Sequence, residues 1–406
     1  MYDLLSKLRV VEASSFVASP LCGLYLAQMG AEVIRFDMIG GGPDYHRWPL
    51  SPKGDSFYWE GLNKGKKSIA IDLASPEGRE LAAALVTAPG DDRGLFLTNY
   101  PVDGFLSHEA LAARRPDLIT VRVMGQADGG TALDYTVNAA IGVPYVTGPE
   151  TLGDEPVNHV LPAWDLLTGA YSAFCLLAAE GDRRRTGQGR EIRVPLSDVG
   201  ISTLANLGQI AEVIESGRDR PRYGNEVFGA FGRDFLTADG KRLMIMALTP
   251  RHWKGLLKVL GIGAAVAAIE ARHGVSFAKD EGLRFQHRDE LVPLVAGAIA
   301  RWRYSELATA LDADGVCWGP YQALSDAVRD EQLVTRNPLF STIANPSGYS
   351  YPTPGAAATI PQMQRHPPIR APRLGEHTDQ VLAEVLGMGS GEIGRLHDAG
   401  VVAGAE

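Results

Sequence analysis

Five short apolar runs fall within the first third of this chain: residues 9–13 (RVVEA), 32–37 (EVIRFD), 68–73 (SIAIDL), 94–98 (GLFLT) and 118–123 (LITVRV). Residues 19–29 read as a helix containing Pro20. Ser75-Pro76-Glu77 opens another, with Ser as the cap and Pro at the first helical position. Strands alternating with helices of this length imply a mostly parallel sheet covered on both faces. Such sheets bind ligands beyond the carboxyl ends of their strands.

Farther on, 191–196 (EIRVPL) reads as a strand and 198–215 as one long buried helix. A polar, turn-rich connector follows at Gly217-Arg218-Asp219-Arg220-Pro221. Residues 233–248 look like a hairpin turning at Ala238-Asp239-Gly240, and amphipathic helices follow around 251–272, 280–300 and 304–313. Beyond 326, loops rich in Pro and Gly lead to closing helices at 376–400. The expected fold is α/β. A Rossmann-like parallel-sheet large domain (1–215) is followed by a smaller α+β domain (225–325) and a return segment (326–406) that completes the large domain.

The net charge of −9 argues against nucleic acid as a general partner, so an anionic ligand must be held by a local basic cluster. Cys22, Cys175 and Cys317 show no Cys-x-x-Cys or Cys/His ligand spacing and read as buried thiols in a reducing compartment. The nine histidines include no His-x-x-x-His pair, so no metal is expected. The amino-terminal residues carry no apolar signal core, and no run of eighteen apolar residues occurs. The expected location is the cytoplasm, with no membrane partner.

The stretch His159–Glu180 is almost wholly apolar after Pro162 and reads as a helix buried on all sides. Asp165 is its one carboxylate before Glu180, in the first turn. Two readings are open: an acid facing the helix dipole, or a carboxylate nucleophile shielded from water. The run Asn63-Lys64-Gly65-Lys66-Lys67 is open in the same way, between a solvated loop and a phosphate clamp. Asn99-Tyr100-Pro101 ends the fourth strand at its carboxyl end, where a base or pantetheine arm has room to lie. Asp37 stands at the spacing of a ribose-binding acid, but the first turn lacks Gly-x-Gly-x-x-Gly, which makes a nicotinamide site a weak reading.

These segments together resemble the family III CoA-transferases, the group of formyl-CoA and carnitine–CoA transferases and α-methylacyl-CoA racemases. The resemblance rests on AQMGAEVIRFD, Gly41-Gly42-Pro43-Asp44-Tyr45-His46-Arg47, NKGKKSIAIDL, TNYP, the Asp165 helix, ADGKRLMI and PRLGEHTDQVLAEVLG, in that order over nearly the whole chain. It implies two domains in an interlocked homodimer, Asp165 as the catalytic aspartate, and CoA on the amino-terminal domain. Arg35, Lys66 and Lys67 are then candidates for the CoA phosphates or adenine, with Asn99 and Tyr100 beside them. No cofactor is implied beyond the CoA of an acyl-CoA substrate.

FDMIGGGPDYHRWP, DYTVN, VNHVLPAWDLLTG and GAFGRDF resemble a branch that moves CoA between the two carboxylates of one unsaturated dicarboxylic acid. A dicarboxylate leaves one carboxylate free, and Arg47 and Arg233 are the candidates to hold it. Val17 stands where formyl-CoA transferases carry a Gln, and Tyr135 where an ungapped reading places their Glu. Racemases carry a His immediately before an Asp, whereas Leu133 precedes Asp134 here, which disfavours racemisation. Transfer to an external acid, and CoA binding without chemistry, are the alternatives.

Overall fold

The structure is a computed structural model that describes residues 1–405. The chain divides into two compact units: Met1–Ile141, His159–Ala211 and Arg329–Glu406 make the first, Gly142–Asn158 and Glu212–Val328 the second.

In the first unit β1 (Arg9–Ala13), β2 (Glu32–Met38), β3 (Lys67–Ile71), β4 (Leu95–Thr98), β5 (Ile119–Met124) and β6 (Arg190–Pro195) form a parallel sheet. Their order is β3-β2-β1-β4-β5-β6, and the segment Val402–Ala403 adds an antiparallel edge to β3. The order reverses between β1 and β4, the place where sheets of this kind open a crevice for ligands.

The helices that follow in chain order are α1 (Ala18–Gln28), α2 (Phe57–Leu62), α3 (Pro76–Val86), α4 (His108–Ala112), α5 (Asp134–Ala140), α6 (Val143–Val146), α7 (Ala163–Thr186), α8 (Leu196–Asn206) and α9 (Gln209–Ser216). One face of the sheet packs Ile34, Phe36, Ile69 and Phe96 against α3, α4 and the closing helices Thr378–Leu386 and Ser390–Asp398. The other packs Val10, Val33, Leu97 and Val121 against α1 and α7. Burial on both faces explains why these strands read as continuous apolar runs. The α1 and α7 backbones approach so closely that a Cβ on Gly169 would lie 2.8 Å from the Ala18 carbonyl oxygen.

The single helix expected over 198–215 is two, α8 and α9, broken at Leu207-Gly208 where Gly208 takes φ 78°. A side chain resists that left-handed backbone, so glycine ends α8 there. No residue of α9 is buried, and Ile214 is largely exposed. The expectation that α7 is buried on all sides also needs correction. Leu167, Tyr171, Phe174 and Leu177 are exposed along one stripe of the helix in the single chain.

In the second unit β7 (Phe231–Leu236), β8 (Arg242–Ala247) and β9 (Cys317–Pro320) form an antiparallel sheet over a helical core centred on Trp253, Phe277 and Leu291. Residues 142–158, read from sequence as part of the large domain, belong to this unit. The reason is local: the Arg222 guanidinium donates to the carbonyls of Thr147, Gly153 and Glu155, and Gly224 N–H donates to the Gly148 carbonyl at 3.0 Å. The cysteines are free, but only Cys22 is buried; Cys317 is exposed on β9. No helix among the described residues is long and apolar enough to cross a membrane.

Candidate functional site

A cavity of about 690 Å³ opens at the carboxyl ends of β1, β4, β5 and β6. Its wall is made by Ser15, Phe16, Val17 and Ala18 after β1, Asn99–Asp103 after β4, Arg122–Gly125 from β5, the 128–133 loop, Asp165 and Leu196. Asp165 therefore faces the crevice that the strand order creates.

The first turn of α7 is held by a side chain from another helix. Pro162 stands at the N-cap and gives no side-chain cap. Asp134, buried at the start of α5, supplies it instead: one carboxylate oxygen accepts from Trp164 N–H at 2.7 Å and Asp165 N–H at 3.0 Å. Its other oxygen lies 2.8 Å from His159 Nε2. The Trp164 indole donates to Asn138 Oδ1 at 3.1 Å, which ties the same turn to α5.

Burial in this corner raises the Asp165 pKa to about 7; the Asp134 charge adds to the rise and the Arg47 charge opposes it. Arg47 lies with its guanidinium 5.4 Å from the rings of both Phe16 and Tyr58. Burial also pushes the Tyr58 hydroxyl well above its ordinary pKa, which keeps it protonated.

The loop after β1 is strained and pinned. Phe16, at φ 67°, is the non-glycine residue with positive φ among those described, a conformation costing roughly 1–3 kcal/mol. Asn99 holds it open by bonding both ways to Ser15: Ser15 N–H donates to Oδ1 at 3.1 Å, and Nδ2 donates to the Ser15 carbonyl at 2.9 Å. Arg122, buried in β5, donates to the carbonyls of Tyr100, Pro101 and Leu106 and to Glu191, which fixes the turn after β4. Burial raises the Tyr100 pKa to about 12. Tyr100 and Asn99 line the cavity, though the Asn99 amide is already engaged.

The lysine run and Arg35 are neither a solvated loop nor an open clamp. Arg35 is fully buried, bidentate to Asp37 at 2.8 Å and bonded to both Asp44 oxygens at 3.0 Å, with the Trp59 ring 4.5 Å away. Lys66 is buried against Glu12 at 2.9 Å and donates to the Pro20 carbonyl and Asn63. Lys64 is buried too, and that burial lowers its pKa to about 8. A phosphate reaches Arg35 or Lys66 only by displacing a carboxylate. Lys67 opens β3 at the strand's amino end and pairs with Glu32 and Glu384. Arg233 is in the second unit, 3.3 Å from Glu226.

Sequence reasoning missed Asp134 as the cap of α7, with His159 behind it, and Arg122. The signal for Arg122 was a charge inside an apolar strand. For Asp134 it was an apolar helix that begins at Pro162 with no capping side chain of its own. Although no metal is expected, His273, His287 and Glu290 do converge in the second unit. Arg272 and His273 already share that carboxylate.

Over 408 aligned residues the chain is 48% identical to the 2-methylfumaryl-CoA isomerase of Chloroflexus aurantiacus, covering 100% of this chain and 99% of that one. It is 30% identical to the succinate–glutarate CoA-transferase of Agrobacterium fabrum, over 94% and 95% of the two chains. A CaiB/BaiF family protein from Brucella suis superposes with a TM-score of 0.75 at 26% identity, covering 95% of this chain and 100% of that one. The model of CoA-transferase family III matches residues 5–378, and the chain belongs to that family.

Proposed function

We propose that this protein moves CoA within one molecule, converting 2-methylfumaryl-CoA (mesaconyl-carbon-1-CoA) to 3-methylfumaryl-CoA (mesaconyl-carbon-4-CoA), with Asp165 as the nucleophile. The observation that carries the reading is a half-buried carboxylate at a capped helix start, lining the cavity at the sheet's switch point beside Arg47. Full-length identity to an isomerase of this substrate class supports the choice of reaction.

The ionised Asp165 attacks the thioester carbonyl, and the CoA thiolate leaves, giving an aspartyl–acyl anhydride. The thiolate attacks the aspartyl carbonyl, giving an enzyme–CoA thioester and mesaconate. The other carboxylate of the same mesaconate attacks that thioester and expels the thiolate, which then attacks the carbon-4 carbonyl and frees Asp165. Each step exchanges one activated acyl bond for another with no net proton change, so excluding water preserves the thioester's free energy. Val17 and Ala18, at the start of α1, line the cavity, and the amides of a helix start, which have no intrahelical acceptors, suit a developing oxyanion. Those of α7 are committed to Asp134.

Arg47 is the group we assign to the idle carboxylate. We further assign the exposed stripe on α7 to a second copy of this chain in a homodimer, since it is too apolar for solvent. Tyr171→Glu together with Phe174→Glu should yield monomer in light scattering; an unchanged mass removes that assignment. The cytoplasm is the compartment that three free cysteines favour.

Intramolecular transfer keeps the freed acid beside CoA at an effective concentration on the order of 10⁵ M. Unlabelled mesaconyl-carbon-1-CoA incubated with excess labelled mesaconate should therefore give unlabelled carbon-4 product at early times. Label entering in proportion to free mesaconate would mean ordinary intermolecular transfer. Asp165→Ala should be inactive in either case.

A further inference from the structure

We propose that His159 and Asp134 are the positioning pair for Asp165. The imidazole holds one Asp134 oxygen so that the other caps the first amides of α7 and aims the Asp165 side chain at the cavity. The proposal rests on Asp165 being the nucleophile, and it assigns roles to two residues outside the cavity lining.

Four contacts carry it. His159 Nε2 is 2.8 Å from Asp134 Oδ1, Asp134 Oδ2 accepts from Trp164 N–H at 2.7 Å and Asp165 N–H at 3.0 Å, and the Trp164 indole is bonded to Asn138. Pro162 contributes no cap, so Asp134 is the side chain that closes this end of the helix. A neutral Asn or Ser would cap as well. An anionic cap does one thing more: it places a second negative charge against the nucleophile, favouring the protonated form of Asp165 and making its ionised form more basic. His159 stands on the far side of that charge, 20% exposed, and orients it. The other charged or titratable groups that act on Asp165 or share its cavity are Arg47 and Tyr58 from the segment after β2, Tyr100 and Asp103 after β4, Arg122 from β5 and Asp128 from the loop after it.

The test is the pH profile of kcat/KM, with Asp165→Ala as control. Asp134→Asn keeps a cap oxygen and removes the charge. Its acid limb should move down by about one pH unit while kcat falls tenfold or more, with KM nearly unchanged. His159→Phe removes the hydrogen-bond partner of Asp134 Oδ1 and should move the limb up, whereas His159→Gln, which can still donate, should restore most of kcat. Loss of kcat with the limb fixed in all three variants would reduce the pair to a structural cap and overturn the proposal, as would unchanged kinetics. If Asp134→Asn does not fold, the two His159 variants, at a partly exposed site, decide alone. Turnover surviving in Asp165→Ala would instead sink the nucleophile reading itself, whatever the pair does.

Discussion

Both polar ends of the Asn99 side chain are bonded to the backbone of Ser15, so a single amide bridges β4 and β1 where the strand order reverses. The bridge holds Phe16 at its positive φ and so shapes the wall of the cavity that Asp165 also lines. Asn99→Ala removes two hydrogen bonds, each with a net value of about 1 kcal/mol, but lets Phe16 relax. The expected stability loss in urea unfolding is therefore small, about 1 kcal/mol or less, while kcat/KM falls tenfold or more. A large stability loss with unchanged kinetics would mean that the bridge serves the fold alone.

Asp165 itself should be a cost to the fold. Its folded pKa of about 7 lies above the ordinary value of 3.8. Below pH 3.8 both states are protonated and nothing is lost. Between 3.8 and 7 the folded protein keeps a proton that the unfolded chain releases, so stability falls as pH rises, and above 7 the full cost is present. Asp165→Asn should match the parent's unfolding free energy near pH 4 and exceed it at pH 8 by roughly 1–3 kcal/mol, a figure reduced for the solvent that reaches this carboxylate. Equal stability at both values would place the carboxylate in an ordinary polar setting.

Arg47 offers a cleaner separation of binding from chemistry. Its guanidinium lies near two aromatic rings and its charge is felt at Asp165. Arg47→Met should lower kcat/KM for mesaconyl-CoA a hundredfold or more, and far less for a monocarboxylic acyl-CoA of similar size. Similar losses on both substrates would assign Arg47 to the general electrostatics of the site.

The sheet was legible because strands buried on both faces leave continuous apolar runs, and the parallel connections leave helices between them. Asp165 stood out because one carboxylate in an apolar helix is costly unless used, and the structure puts it in the cavity lining. That one face of the helix lies open in the single chain was not legible, since apolarity does not say whether the chain itself buries a face; Leu167, Tyr171 and Phe174 show it. Asp134 and His159 meet the α7 start only after the chain has passed through residues 142–158, which belong to the other unit, and no local pattern joins them. The break at Gly208 was readable and was passed over in favour of the apolar pattern around it. The lysine run misled because a residue just before a parallel strand lies at its amino end, whereas these sheets take ligands at the carboxyl end.

Arg35 and Lys66 were expected to touch CoA, which would make their loss a matter of KM. The structure buries three carboxylates, Glu12, Asp37 and Asp44, against these two cations. Desolvating five charges is expensive, and the pairing offsets that cost only while it is complete. Arg35→Met strands Asp37 and Asp44, and Lys66→Met strands Glu12 and releases the Pro20 carbonyl at the start of α1. Each should therefore destabilise the protein by about 3–5 kcal/mol in urea unfolding. KM for the acyl-CoA should stay within about twofold in whatever fraction folds, since neither side chain is open to a ligand. A several-fold rise in KM with stability intact would return both residues to the CoA site.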